Sequence, residues 1–358
     1  MAVIFLVSST LSRLQWRVLL TALLAVSLTG CITAEQKLRE EPKSLVWPAP
    51  PEQPRIKYLR SYYGQSDFAV TDDLRARMFG VEYKGLHLSK PYGVTVNKDG
   101  SKMYVTDTMA GGIVVFDLKN EKVFRLPIDA MGSLKSPVEV RVDDRGRIYV
   151  SDGFGHRLVV YSPTGKTLFT LGSAQRMKRP TGLALDNKRD RLYVSDTPNH
   201  RVLVYGLDGE FIREIGERGT NPGQFNFPTN LVVDGKGRLI VTDSGNFRIQ
   251  IFSPEGELLS DFGSIGDGFG NFARPKGVGV DSDGHIYVVD AAFANVQIFN
   301  DTGRLLLFFG ALGRAPGYFW LPAGLYVAQD DKIYVADSIN GRIQVFQYLK
   351  GEEGISQK

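Results

Sequence analysis

The sequence predicts an all-β fold, a six-bladed β-propeller built from four-stranded antiparallel blades. The body of the chain repeats, and one proline marks the start of each repeat. These prolines are Pro91, Pro137, Pro180, Pro228, Pro275 and Pro322, at successive intervals of 46, 43, 48, 47 and 47 residues. Repeats of about 45 residues that each hold four short strands are typical of propeller blades.

Each repeat begins with an apolar stretch, such as Gly182-Leu-Ala-Leu, which is followed by a polar turn. A second strand then ends in aspartate, as in Tyr193-Val-Ser-Asp196. A third strand starts about five residues later, as in Arg248-Ile-Gln-Ile-Phe252, and a turn with proline and glycine leads to a fourth. The continuous apolar run indicates that the first strand is covered on both faces and is therefore innermost.

The sixth repeat lacks its fourth strand, because the chain becomes polar soon after Phe346. Residues 55–63 resemble the fourth strand of the third repeat, at residues 209–216. We expect this N-terminal strand to complete the last blade, since closure of the ring removes an open sheet edge. An insertion at 66–88 precedes the first inner strand, and its residues 71–79 read as a capped short helix.

The recurring pattern P-x-G-(V/L)-x-V-D, Y-V-x-D and N-x-R-(I/V)-Q-(V/I)-F resembles the NHL repeat. The resemblance covers residues 88–348 and recurs six times. It implies a propeller at residues 55–350, followed by a polar tail at 351–358, and a role mainly as an interaction module. WD40 repeats have a similar length, but they carry Trp-Asp pairs and this sequence has none.

The N-terminal residues 1–30 read as a secretory signal peptide, with two arginines before an apolar run. The run ends in Leu28-Thr-Gly-Cys31, which resembles the bacterial lipoprotein signal. The resemblance implies a lipid on the Cys31 sulfur, with residues 31–54 forming an extended, proline-rich tether. The protein would then face the periplasm or the exterior, and Ile32 in place of aspartate favours the outer membrane. The alternative is an ordinary signal anchor that contains a buried cysteine.

The composition argues against several functional classes. The chain has 43 basic and 39 acidic residues, for a net charge of +4, so its charge gives no reason to expect nucleic acid as a partner. Its single cysteine excludes an intramolecular disulfide and a cysteine-type zinc site. Nucleophile-elbow, phosphate-loop and His-Glu-x-x-His motifs are absent, and we assign no catalytic residue.

An aspartate ends the second strand of every repeat, and in four repeats an arginine follows five residues later. We expect these residues to support the scaffold, because such an aspartate can accept backbone N–H groups and pair with the arginine. The pairs are Asp152/Arg157, Asp196/Arg201, Asp243/Arg248 and Asp337/Arg342. Gly112 and Asn295 replace the arginine in the other two repeats, so we expect Asp107 and Asp290 to be freer.

The first position of the inner strand is glycine in four repeats, but Glu139 and Asn230 stand there in the second and fourth. Related six-bladed lactonases bind a divalent cation at the channel mouth through a Glu, Asn and Asp cluster. The resemblance makes Glu139 and Asn230 candidates for ligand or metal binding, although no aspartate completes the set. Incidental variation is the alternative.

Two further sets of residues are candidates for contact. His156 and His200 hold equivalent positions one blade apart, where surface residues are favoured over a shared metal. Loops that enter the last three repeats carry Gly-x-Phe-x-x-Pro, and we expect Phe225, Phe272 and Phe319 to wedge between blades. The aromatic residues beside them are candidates for partner contact, with further packing as the alternative. They are Phe227, Phe269, Tyr318 and Trp320.

These observations favour a lipid-anchored, extracytoplasmic binding or scaffold module that recognises a protein or small ligand through its loops. We expect an envelope protein as partner and the membrane as the site of anchoring. The alternative is a metal-dependent lactonase- or lyase-like enzyme acting at the channel mouth. No cofactor is expected apart from a divalent cation in that second case.

Overall fold

Antiparallel β-sheets repeat along the chain, and each sheet corresponds to one of the six sequence repeats. The computed structural model describes residues 45–68, 85–173 and 175–350, and we number the strands there β1 to β25 in chain order. The six-bladed propeller predicted from the sequence is therefore confirmed. The first strand of each blade lies innermost, and the fourth is outermost in blades 1 to 5.

Blade 1 consists of β3 (Pro91–Val96), β4 (Lys102–Asp107), β5 (Gly112–Asp117) and β6 (Lys122–Arg125). Blade 2 consists of β7 (Pro137–Val142), β8 (Ile148–Asp152), β9 (Arg157–Tyr161) and β10 (Thr167–Leu171). Blade 3 consists of β11 (Pro180–Asp186), β12 (Arg191–Asp196), β13 (Arg201–Gly206) and β14 (Phe211–Ile215). Blade 4 consists of β15 (Pro228–Val233), β16 (Leu239–Asp243), β17 (Arg248–Phe252) and β18 (Leu258–Phe262). Blade 5 consists of β19 (Pro275–Val280), β20 (Ile286–Asp290), β21 (Asn295–Phe299) and β22 (Leu305–Phe309). Blade 6 consists of β23 (Pro322–Val327), β24 (Lys332–Asp337), β25 (Arg342–Tyr348) and the N-terminal strands β2 (Ile56–Tyr62) and β1 (Val46–Trp47).

Helical structure is sparse in the described ranges. Short 3-10 helices occur at Gln65–Asp67, Ala130–Gly132, Thr197–Asn199 and Ser244–Asn246. Within these ranges no helix has the length and apolar character needed to cross a membrane. The predicted signal peptide at 1–30, Cys31, the predicted helix at 71–79 and the tail at 351–358 lie outside the described residues.

The ring closes through the N-terminal strand, as the sequence predicts. β2 pairs antiparallel with β25, with Tyr58 opposite Phe346 and Tyr62 opposite Ile343. A β-bulge between Tyr58 and Arg60 adds one residue to β2. Because of this extra residue, Tyr58 packs on the side of blade 5 whereas Tyr62 packs on the side of blade 1. One strand therefore contributes to both interfaces of the closing blade.

A fifth strand extends the closing blade. β1 pairs with β2, with Val46 opposite Lys57 and Trp47 opposite Ile56. The Trp47 ring centroid lies 5.5 Å from that of Phe309, which belongs to blade 5. Val46 and Trp47, which lie in the segment 31–54 where the sequence predicts an extended tether, are thus part of the closing sheet. Residues 31–44 of that segment lie outside the described residues.

The apolar core is divided among the interfaces between neighbouring blades. Six clusters of buried side chains are found among the described residues, and each combines residues from two adjacent blades. Phe225, Phe272 and Phe319 are fully buried in three of these clusters, which confirms that they wedge between blades. Blades are thus held together by side-chain packing, while hydrogen bonds hold the strands within each blade.

Neighbouring inner strands approach each other most closely at the glycine two residues after the blade-start proline. A Cβ atom added to Gly182 would lie 2.1 Å from the backbone oxygen of Thr229 in the next blade. A Cβ atom on Gly324 would lie 2.3 Å from the backbone oxygen of Tyr92, across the junction of the last and first blades. Absence of a side chain at these positions is therefore what permits the narrow channel.

Because of this close contact, we expect a methyl group added at such a glycine to lower the stability of the fold, and one added at an open glycine to have little effect. In Gly182→Ala the backbone of blade 3 or blade 4 must shift, so we expect the free energy of unfolding to fall by about 2–3 kcal/mol. Gly235→Ala is the matched control, because nothing lies within 4 Å of its added Cβ. We expect the control to change stability by less than about 0.5 kcal/mol. Urea unfolding of the full chain measures both, and equal effects would contradict the proposed constraint.

Candidate functional site

One side of the propeller carries two sets of loops, and we call it the loop face. These loops join the second strand to the third within a blade, and the fourth strand to the inner strand of the next blade. Antiparallel order within every blade places both sets at the same end of the central channel. The channel mouth is the part of this face around the blade-start prolines. It includes Tyr92, Glu139, Arg179, Asn230, Arg274 and Lys276.

Glu139 and Asn230 are brought together by the fold, although they are 91 residues apart in the sequence. The Asn230 amide donates a hydrogen bond to Glu139 Oε2 at 3.2 Å, and both residues are buried. Arg141 Nη1 lies 2.7 Å from Glu139 Oε1, and it also donates to the Val94 carbonyl of blade 1. Burial raises the pKa of the Glu139 carboxyl, and the charge of Arg141 opposes this change.

The donor set at Glu139 does not fit a divalent cation. One carboxylate oxygen is already paired with the buried guanidinium of Arg141, and the other accepts from the Asn230 amide. In the part of the chain that the structure describes, no three His, Cys, Asp or Glu side chains form a group suited to a metal ion. A cation would have to displace the positive charge that the fold has placed beside Glu139.

The aspartates and arginines of the four predicted pairs lie next to each other in the structure. Arginine Nε to aspartate Oδ2 distances are 2.8 Å for Arg342–Asp337, 3.0 Å for Arg248–Asp243, 3.3 Å for Arg201–Asp196 and 3.7 Å for Arg157–Asp152. All four aspartates are fully buried. Burial raises the pKa of the Asp243 and Asp337 carboxyls, and their hydrogen bonds oppose this rise. At 3.7 Å the blade 2 pair is an ion pair without a hydrogen bond.

These pairs fix the loops of the loop face. In blade 6, Asp337 accepts a hydrogen bond from the Trp320 backbone N–H at 2.7 Å. Its partner Arg342 donates to the carbonyls of Ala315 and Tyr318, at 2.9 and 2.8 Å. Blade 4 repeats the arrangement with Asp243 and Arg248. Each pair therefore ties the loop before an inner strand to the end of the second strand.

Asp107 and Asp290 are not freer than the other aspartates, which corrects the expectation from the sequence. Asp107 accepts backbone N–H groups from Ser89, Lys90, Met109 and Ala110. Asp290 does the same with Ala273, Arg274, Ala292 and Phe293. Backbone donors from two loops satisfy these carboxylates without an arginine.

The histidines at equivalent repeat positions have separate partners. His156 Nδ1 contacts the Lys178 carbonyl, and His200 Nδ1 accepts a hydrogen bond from the Phe227 backbone N–H at 3.2 Å. The His200 ring also packs on the Phe227 ring, with centroids 4.6 Å apart. Both contacts use the ring nitrogen to hold a neighbouring loop.

Exposed apolar side chains surround the channel mouth on the loop face. The aromatic residues identified from the sequence are among them, and Phe269 is the most exposed at 83%. The set comprises Met109, Phe154, Phe227, Phe269, Tyr318, Trp320 and Ile339. Because the backbone beneath Trp320 and Tyr318 is fixed by the blade 6 pair, this surface is displayed on ordered loops.

Sequence reasoning missed the cations of the channel mouth. Lys276 follows the blade-start proline of blade 5, and Arg274 precedes it. Burial, together with the charges of Arg274 and Arg179, lowers the pKa of Lys276 to about 8. Lys276 could have been found by aligning the six repeats, because the residue after the proline is uncharged in the other blades.

Sequence reasoning also missed an ion pair in the turn after the inner strand. Asp143–Arg147 and Asp234–Arg238 are paired at 2.7 Å in blades 2 and 4. In blade 5 the equivalent contact is between Asp281 Oδ2 and His285 Nδ1, at 2.9 Å. This hydrogen bond raises the pKa of His285, whose partial burial acts in the opposite direction. Blade 5 thus has a titratable histidine where blades 2 and 4 carry arginine.

The fold and the loop face define this protein as a six-bladed β-propeller with repeat-imposed loops. The chain carries NHL repeats: the family profile described as NHL repeat matches residues 177–205, 225–252, 272–299 and 319–346, in blades 3 to 6. Among proteins with curated descriptions, none is significantly similar to this chain in sequence.

Several solved structures share the fold. Virginiamycin B lyase from Staphylococcus aureus is 16% identical, with a TM-score of 0.54 over 74% of this chain and 98% of the lyase chain. An auxiliary nutrient binding protein from Bacteroides thetaiotaomicron is 11% identical, with a TM-score of 0.58 over 74% of this chain and 70% of that protein. A chain of a nidogen–laminin complex is 18% identical, with a TM-score of 0.52 over 64% of this chain and 84% of the other. At these identities the likeness concerns the fold alone.

The Asp281–His285 contact predicts a stability that depends on pH. A histidine whose folded pKa is raised stabilises the fold fully below its unfolded pKa of about 6.5 and loses that contribution as pH rises through the folded pKa. We expect His285→Arg, which restores the residue of blades 2 and 4, to remove this part of the pH dependence. Urea unfolding between about pH 5.5 and 8 measures this effect. We expect the contact to change the free energy of unfolding by less than about 1 kcal/mol over that range. His156→Gln is the control, and a profile unchanged by His285→Arg would contradict the assignment.

Proposed function

We propose that this protein is a lipid-anchored binding or scaffold module of the bacterial cell envelope, which recognises a partner through its loop face. The observation that carries the proposal is the set of exposed apolar side chains on loops fixed by buried aspartate–arginine pairs. Rigid loops that display aromatic residues lower the ordering cost of binding. The partner is an envelope protein or a small ligand.

The lipid anchor is supported by sequence, through the apolar run that ends in Leu28-Thr-Gly-Cys31. An acyl anchor on Cys31 would hold the propeller at a membrane surface, where its loop face can meet other envelope components. The outer membrane is favoured, because Ile32 follows the cysteine.

The alternative of a metal-dependent lactonase- or lyase-like enzyme lacks comparable support. Such an enzyme would need cation ligands at the channel mouth, but Glu139 is paired with Arg141 and Asn230. The similarity to virginiamycin B lyase concerns the fold, at 16% identity. A binding role needs neither a metal nor a catalytic group from these residues.

The anchoring part of the proposal predicts covalent lipid labelling. Cells that produce the full chain, when fed a radiolabelled fatty acid, should yield a labelled protein in the membrane fraction. Cys31→Ser removes the only thiol of the chain and should abolish both the label and the fractionation with membranes. Label that persists in Cys31→Ser would refute lipidation at this residue.

If the loop face binds a partner, a cross-linker on that face should capture the partner in cells, and a cross-linker elsewhere on the propeller should not. A photo-crosslinking amino acid in place of Phe154, on the loop face and 61% exposed, should give a discrete adduct. The same amino acid in place of Phe211, on the outer strand β14 and 53% exposed, is the matched control and should give none. Adducts of equal yield from both positions, or none from Phe154, would count against the loop face as the binding surface.

A further inference from the structure

Three cationic side chains converge at the channel mouth from two non-adjacent blades. Arg179 and Arg274 hold the same repeat position, directly before the blade-start prolines of blades 3 and 5. Lys276 follows the proline of blade 5. Both arginines act electrostatically on Lys276 and on Tyr92 of blade 1, so the cations surround one region of the mouth.

No carboxylate of the described residues forms an ion pair with these three cations. The acid of the channel mouth, Glu139, is already paired with Arg141. The buried arginines of the described residues, Arg141, Arg248 and Arg342, are each paired with a carboxylate. Arg179 and Arg274 are exposed, and no ion pair neutralises them there. The mouth therefore has an uncompensated positive potential, which the low-dielectric walls of the channel concentrate.

The backbone that carries these cations is fixed. The Arg274 N–H donates to the Asp290 carboxylate at 3.0 Å, and the Lys276 carbonyl accepts from Thr242 of the preceding blade at 2.9 Å. The Arg179 guanidinium lies 5.2 Å from the centroid of the exposed Phe154 ring. These contacts fix the backbone from which Arg274 and Lys276 extend, and a negative charge bound among the three cations would relieve their mutual repulsion.

Tyr92 adds a neutral donor at the same place. Burial and the Glu139 carboxylate raise the pKa of Tyr92 to about 12, so its hydroxyl keeps its proton at neutral pH. Guanidinium, ammonium and phenol groups are together the donor set that proteins use for carboxylate and phosphate oxygens.

We propose that the channel mouth binds an anionic group, a carboxylate or a phosphate, between Arg179, Arg274 and Lys276. The proposal names a ligand chemistry for the loop face and in that respect rests on the proposed function. The anionic group belongs either to a free small molecule or to a larger envelope partner. The surrounding apolar side chains, including Phe154 and Phe227, would contact the uncharged part of such a ligand.

Isothermal titration calorimetry on the purified full chain in detergent tests the site, with citrate and inorganic phosphate as probes and glycerol as the uncharged control. We expect citrate or phosphate to bind at neutral pH and low salt, and glycerol not to bind. Lys276→Met should weaken binding at least about tenfold, equivalent to about 1.4 kcal/mol. Lys188→Met is the matched control, because Lys188 is an exposed lysine in the turn after β11, on the opposite face.

The pH dependence supplies a second readout. Lys276 lies within electrostatic range of Arg274 and Arg179, which also act on Tyr92 together with Glu139. Lys276 loses its proton as pH rises through about 8. Anion affinity of the unchanged chain should therefore fall above that pH. Lys276→Arg keeps its charge and should retain affinity at higher pH. Thermal unfolding of each variant shows that it is folded.

Failure of both probes to bind, or equal citrate affinity of Lys276→Met and the unchanged chain, would overturn the anion site. Equal pH dependence in the unchanged chain and in Lys276→Arg would also overturn the role of Lys276. If the cross-link from Phe154 persists while neither anion binds, the proposed function stands and the anion site alone is lost. If an anion binds and competes with that cross-link, the anionic group belongs to the envelope partner.

Discussion

The close approach of neighbouring inner strands determines much of this structure. Backbone oxygen atoms of one blade lie where a side chain of the next blade would begin, as between Thr229 and Gly182. Glycine holds this position in four of the six blades, where an added Cβ atom would clash with the backbone of the next inner strand. The two side chains that do enter, Glu139 and Asn230, hydrogen-bond to each other across the channel. A carboxylate in so confined a place needs a counter-charge, which Arg141 provides from the same strand.

The same repetition organises the loop face. Each second strand ends in a buried aspartate that accepts hydrogen bonds from the loop entering its own blade. In four blades an arginine completes the pair, whereas in the other two the backbone alone satisfies the carboxylate. The aspartate contacts that repeat in every blade thus lie below the loop face. The exposed apolar residues on that face differ from blade to blade.

Much of the fold could be predicted from the sequence, because proline and aspartate recur at fixed positions and each repeat reports the same four strands. Residues 55–63 were identifiable as the closing strand because they resemble a fourth strand and the last repeat lacks one. The bulge at Tyr58 and the strand at Val46–Trp47 were not, since both depend on side-chain packing against blade 5. A two-residue strand carries too little pattern to be detected.

The channel mouth was only partly predictable. Glu139 and Asn230 stood out because they break a repeated glycine, but Arg141 lies in a stretch that reads as an apolar strand. The convergence of Arg179 with Lys276 depends on two blades, 3 and 5, that are not adjacent in the ring. Repeat position shows which residues share an end of the channel, and only the assembled ring shows which of them face each other.

Pairing of β2 with β25 has a consequence for biosynthesis. The partner of β2 is β25, so synthesis must pass Tyr348 before this sheet can form. Until then the early segment exposes Ile56 and Tyr58, which are buried in the finished ring. A chain synthesised from its N-terminus therefore carries an unpaired apolar segment until β25 has been made, and such a segment is prone to aggregation during that interval.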